Sequence, residues 1–153
     1  LPLHAFGALH GAFDQAVDGA DALARESAMR ERTGGRSYDA VLIDNQMPTM
    51  GGTAATRELR RRGFDGLIIG LTGDMVGCDD RTQFEAAGLD MCLDKHSEGT
   101  QLLTKLLAEH RALVLARGGA IATRAARDSD VRQLRALTLD AARPDGGDII
   151  GLA

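Results

Sequence analysis

Three side chains with complementary chemistry, Asp44, Thr72 and Lys95, each follow a short apolar run. The first run, Ala40-Val41-Leu42-Ile43, closes on Asp44 and passes at once into Asn45-Gln46-Met47-Pro48-Thr49-Met50-Gly51-Gly52, a stretch marked by proline and glycine. The second, Gly66 to Leu71, closes on Thr72-Gly73, and the third, Met91 to Leu93, on Asp94-Lys95. A carboxylate can attack phosphorus and form an acyl phosphate. A hydroxyl can donate a hydrogen bond to a phosphoryl oxygen. An ammonium can pair with the carboxylate and then with the phosphoryl oxygens. Taken singly, each residue has a plain structural role: a turn acid, a helix-capping hydroxyl and a solvated lysine. Together they suggest chemistry only if the fold brings the three run ends to one place.

The elements between them supply that condition. Continuous apolar runs that do not alternate predict strands buried on both faces, here Ala40 to Asp44, Gly66 to Leu71 and Met91 to Leu93. Helical composition separates them: Thr53 to Arg62, stopped by Gly63, and Asp79 to Ala87, capped by Gly88. A long helix over Glu98 to Leu115 follows, its apolar face carrying Leu102, Leu103, Leu106, Leu107 and Leu113. Upstream, Ala20 to Arg32 predicts a helix with Ala20, Leu23, Ala24 and Ala28 on one face. Ala12 to Val17 predicts a short strand leading into a turn at Asp18-Gly19, and Leu3 to Leu9 the last turns of an earlier helix. Alternating strands and helices imply an α/β fold with an open parallel sheet and helices on both faces. In such a sheet every strand ends on the same edge, so Asp44, Thr72 and Lys95 converge there.

The chain has 153 residues, enough for one domain and a tail. Its formal net charge of -4 argues against a general nucleic-acid or anionic-membrane binder. No apolar run approaches the roughly 18 residues that cross a membrane, and no signal-peptide pattern opens the chain; Cys78 and Cys92, read as reduced thiols, suit a cytoplasmic setting. Cys78 and Cys92 lack metal-like spacing, and His4, His10, His96 and His110 show no ligand pattern. Leu1 opens the sequence in what reads like the middle of an element, as in a fragment.

The runs YDAVLIDNQMPTMGG, GLIIGLTGD and GLDMCLDKH resemble the receiver domain of two-component response regulators, most of all receivers attached to hybrid histidine kinases. The similarity extends roughly from Phe13 to His110. It implies a flavodoxin-like fold with strand order 2-1-3-4-5. It further implies that Asp44 accepts a phosphoryl group from a phosphohistidine, supplied by a histidine kinase or a histidine phosphotransfer protein. Thr72 would be the switch hydroxyl and Lys95 the ion-pair partner of the phosphorylated Asp44. Asp44 and the backbone carbonyl of Gln46 would be ligands of Mg²⁺, a cation that takes oxygen ligands in octahedral geometry. The output would be a population shift held by the new dianion.

Several positions depart from the family pattern. The first, central strand and its terminal pair of acids, which complete the Mg²⁺ site, do not precede Asp44. Asp14 and Asp18 belong to the next strand and its turn. His96 stands where the family has proline, and Cys92 where many members carry an aromatic residue. A degenerate receiver that binds a partner without phosphorylation is therefore the alternative. An aspartate-nucleophile phosphatase is disfavoured, because Gln46 occupies the position of its second acid. Met47 and Met50 are expected to pack beneath the loop, and Arg60-Arg61-Arg62 to form a solvated helix end. Residues 1–117 form the expected receiver, N-terminally incomplete. Residues 118–153 form an Ala/Arg/Gly-rich tail or linker, with one amphipathic helix expected over Asp128 to Ala141 using Val131, Leu134, Leu137 and Leu139.

Overall fold

The computed structural model describes residues 14–72, 78–94, 97–116, 118 and 128–134. Its elements run α1 (Gly19–Thr33), β1 (Ala40–Asp44), α2 (Gly52–Arg61), β2 (Leu67–Thr72), α3 (Cys78–Ala86), β3 (Met91–Asp94) and α4 (Ser97–Ala116). Residues 128–134 are also helical. The strands form a parallel sheet in the order β1-β2-β3, which is the order of the last three strands of the expected topology. The helices and strands predicted from Ala20 to Leu115 recur with their ends shifted by a residue or two.

Alternation along each strand sends side chains to opposite faces, and both faces are covered. Leu67, Ile69 and Leu71 of β2 join Met91 and Leu93 of β3 against Leu103, Leu106 and Leu107 of α4. Ile68 of β2 and Ile43 of β1 face the other way, into Leu23 of α1, Ala55 and Leu59 of α2, and Phe84 of α3. Gly70 belongs to that second face: a Cβ there would lie 2.7 Å from the Phe84 ring and 2.8 Å from Leu89. The missing side chain is the space that Phe84 fills.

Strand β1 differs from the sequence expectation. Ile43 is fully buried, but Ala40, Val41 and Leu42 are only half-buried. Composition alone cannot distinguish an interior strand from one at an edge. Among the described residues β1 pairs only with β2 and forms an edge of the sheet. Residues 14–17, within the predicted strand at Ala12 to Val17, are not in a strand; residues 12 and 13 lie outside the described residues, as does the helix expected at Leu3 to Leu9. A strand exists only by pairing, so its alternation is insufficient where no neighbour is hydrogen-bonded to it.

Helix α1 is built as predicted but turned differently. Asp18 caps it by accepting from the Asp21 N–H at 2.9 Å. The Asp21 carboxylate in turn accepts from the Val17 N–H at 3.0 Å. This reciprocal arrangement satisfies two backbone donors at once. The buried positions are Gly19, Leu23 and Glu26, whereas Ala20, Ala24 and Ala28 are exposed. Alanine has too little surface to dictate a face, and Glu26 is compensated: it accepts from Arg30 and from the Ser37 hydroxyl. Just before β1, Tyr38 donates to Asp14. Partial burial and that acid push the Tyr38 phenol up to about 12.

The arginine run divides in an unexpected way. Arg61 and Arg62 are exposed as predicted and pair with Glu58, holding its carboxyl at about 2. Arg60 turns inward instead. Its guanidinium donates to the carbonyls of Gly88 at 2.9 Å, Phe64 at 2.7 Å and Gly66 at 2.8 Å. It also meets the Asp90 carboxylate at 2.6 Å, with the two side chains 16% and 10% exposed. Asp90 accepts from the Ile68 N–H at 2.8 Å as well. One side chain thereby ties the end of α2 to the start of β2 and to the turn before β3. Arg60→Ala leaves a buried carboxylate and three carbonyls without this donor, and is expected to lower stability by about 3 kcal/mol. Urea denaturation measures the loss. Arg60→Lys should restore less than half of it, because an ammonium lacks the planar fork that spans these acceptors.

Candidate functional site

The register decides what meets at the sheet edge. Asp44, the last residue of β1, pairs with Leu71, and Thr72, the last of β2, pairs with Asp94. Asp44 and Thr72 are therefore brought to the C-terminal ends of adjacent strands. Lys95 follows Asp94 directly in the sequence but lies outside the described residues, as does His96.

The loop after β1 holds Asp44 in a set position. The Asp44 Oδ1 accepts from the Gln46 N–H at 3.0 Å, an Asx-type turn that bends the chain as it leaves the strand. Asn45 then fastens the loop to the next helix. Its side-chain oxygen accepts from the Thr53 N–H at 3.2 Å and the Thr53 hydroxyl at 2.9 Å, and its carbonyl accepts from the Gly52 N–H at 3.1 Å. On the other side the loop is tied to α1, whose first N–H, from Gly19, donates to the Met50 carbonyl at 3.1 Å. Met47 and Met50 pack beneath the loop against the cluster of α1, α2 and α3, as expected.

The tip of the loop is strained. The Met50 N–H donates to the Pro48 carbonyl at 2.6 Å across Thr49, whose φ is 58°. A three-residue turn with a β-branched residue at positive φ is rare and costs about 1–3 kcal/mol. Gly52 is fixed by close approach: a Cβ there would overlap the Asp44 carbonyl oxygen and press on the Phe84 ring. Sequence reading singled out Asp44 and Gln46 but missed Asn45 and the Gly19 amide. The signal for Asn45 was present, since an asparagine opening a turn commonly bonds nearby backbone amides. Nothing in the sequence pointed to Gly19, whose contact spans the separation between α1 and the loop.

As a metal site, the described residues offer the Asp44 carboxylate and the Gln46 carbonyl. Among the described residues no group of three or more His, Cys, Asp or Glu side chains could hold a metal ion. The two other acids considered from the sequence have structural duties, Asp18 as the α1 cap and Asp14 as the Tyr38 acceptor. These two protein oxygens leave most of the octahedral shell of Mg²⁺ to other ligands.

Gly52→Ala tests the fixed loop. The methyl group displaces the backbone of Asp44 and Asn45, with an expected loss of about 1–3 kcal/mol. Amide resonances of Asn45, Gln46 and Thr53 should shift together. Unchanged resonances at these positions would show that the loop is not held by the close approach.

The fold has counterparts among known proteins. The response regulator receiver domain family model matches residues 9–107. Two-component response regulator ARR22 of Arabidopsis thaliana is 34% identical over 70 residues, covering 46% of this chain and 49% of that protein. Two-component system protein A of Emericella nidulans is 38% identical over 98 residues, covering 64% of this chain but 14% of its own length. The chain thus spans about half, or much less, of these curated relatives. Among solved structures, the receiver domain of the sensor histidine kinase PA1611 from Pseudomonas aeruginosa, with a magnesium ion coordinated in its active site cleft, is 32% identical. It superposes with a TM-score of 0.52 and covers 69% of this chain and 78% of that domain. The receiver domain of the Francisella response regulator 1452, at 22% identity and a TM-score of 0.56 over 72% of this chain and 84% of its own, supports the fold alone. Among the described residues no helix is long and apolar enough to cross a membrane. From the match over residues 9–107 and the parallel sheet with Asp44 at its edge, the chain belongs to the response regulator receiver domain family.

Proposed function

We propose that Asp44 accepts a phosphoryl group from a phosphohistidine, carried by a histidine kinase or a histidine phosphotransfer protein in a cytoplasmic phosphorelay. The observation that carries this reading is the register, which sets Asp44 beside Leu71 and ends β2 on Thr72 at the same sheet edge. In the transfer, a carboxylate oxygen of Asp44 attacks phosphorus and the P–N bond breaks. Its electron pair returns to the imidazole nitrogen, leaving an acyl phosphate on Asp44. The Thr72 hydroxyl then donates a hydrogen bond to a phosphoryl oxygen, and Lys95 pairs with the added charge. Drawing Thr72 toward the phosphoryl group biases the segment after β2, which is how a local charge becomes a change in population.

Labelled acetyl phosphate, or a labelled phosphotransfer protein, tests the acceptor in the presence of millimolar Mg²⁺. Label should enter the intact chain, be released by hydroxylamine as expected of an acyl phosphate, and be lost in Asp44→Asn. Thr72→Ala should keep the label and lose the accompanying change in amide resonances. Equal labelling of the wild type and Asp44→Asn would overturn the assignment.

A second reading has its own support in the departures from the family pattern, Cys92 in place of the aromatic residue and His96 in place of the proline. On this reading the chain is a degenerate receiver that binds its partner without phosphorylation. It predicts no label in the wild type and a partner affinity that Asp44→Asn leaves unchanged.

A further inference from the structure

The helix at residues 128–134 lies beyond both the family match, which ends at residue 107, and α4, which ends at Ala116. It does not behave as a free linker. Leu134 is fully buried within the cluster that includes Leu67, Ile69 and Leu71 of β2 and Leu103 and Leu106 of α4, and Val131 packs against the same cluster. Asp130 is 2% exposed. Asp128, Ser129, Arg132 and Gln133 are exposed. Positions 130, 131 and 134 thus form one apolar-facing stripe, with the polar positions opposite, as a docked amphipathic helix requires.

The buried acid is the informative part. A carboxylate taken out of water is costly unless another group compensates it. The His110 Nε2 of α4, itself in a residue 3% exposed, stands 3.7 Å from the Asp130 Oδ2. That separation is too long for a hydrogen bond but within ion-pair reach whenever His110 is protonated. An isolated helix below about 12–15 residues is marginal in water, and the helicity of residues 128–134 is supported by the surface beneath them.

We infer that residues 128–134 are an intramolecular cover, docked on the α4 face of the sheet and held in register by the His110–Asp130 pair. The apolar stripe supplies adhesion, and the pair supplies specificity. A slip of one residue would remove Asp130 from His110 and leave it in the Leu-rich cluster. The folding unit then extends to Leu134, and the expected division near Arg117 and Gly118 falls inside it. Any partner that reads this face of the sheet must displace the cover. The inference is independent of whether Asp44 is phosphorylated.

Amide hydrogen exchange on the full chain tests it. Residues 128–134 should exchange at least about tenfold more slowly than the same segment as a free peptide. Leu134→Ala should abolish that protection and speed exchange across Leu67 to Leu71. Free-peptide rates in the wild type, or unchanged protection in Leu134→Ala, would overturn the cover. The pair is tested in the milder variants His110→Gln, Asp130→Asn and their combination. Single variants should each speed exchange of 128–134, with the double variant no faster than the faster single one. Additive effects would refute the pairing, and Arg132→Ala, on the exposed side, should change nothing.

Discussion

Strand β2 sets the conditions that the rest of the molecule meets. Leu67, Ile68, Ile69, Gly70 and Leu71 are all buried, so their peptide groups have no access to water and must be paired along both edges. The neighbours β1 and β3 supply that pairing in parallel, and parallel strands require crossovers. The crossover helices α2 and α3, together with α1, cover one face, and α4 covers the other. The Arg60 guanidinium pins the entry to β2 by holding the Phe64 and Gly66 carbonyls and the Asp90 carboxylate together. That anchoring joins the entry of β2 to the turn before β3, and the parallel ladder with β1 sets Asp44 level with Leu71.

The loop beyond Asp44 shows how the end of a strand is kept rigid by a segment outside the regular elements. Its backbone is tied to α1 through Gly19 and Met50 and to α2 through Asn45, Gly52 and Thr53. The bonds run to two different helices, one on each side, so the loop cannot move unless a helix moves with it. The positive φ of Thr49 is strain that these attachments sustain. A receiver needs its acid presented at the surface yet fixed in direction, and a short loop fastened at both ends meets both needs.

The sequence misled where residue type and environment diverge. The alanines of α1 suggested a face that the fold does not use, because a methyl group gains little from burial. Glu26, polar by type, lies inside because Arg30 and Ser37 satisfy it. Arg60 looked like its solvated neighbours Arg61 and Arg62, and the carbonyls of Phe64, Gly66 and Gly88 with the Asp90 carboxylate distinguish it. His110 and Asp130 carried no signal, since neither their spacing nor their neighbours in the chain reveal that they meet. For Arg60, His110 and Asp130 the deciding partner is distant in sequence or is a backbone group without a residue signature.

The sequence by itself determined the class of the fold, the order of the helices and strands around β1, β2 and β3, and the candidate acid. Those follow from local rules: apolar runs too continuous for one-sided burial, glycines at helix ends, and a carboxylate where a strand gives way to a turn. Only the tertiary structure decided that Asp44 lies level with Leu71, that Arg60 points inward, and that Leu134 joins the sheet's core. The physical reason is that burial and pairing are shared properties. A residue's type fixes what it can offer, whereas the groups that surround it fix which of those interactions are made.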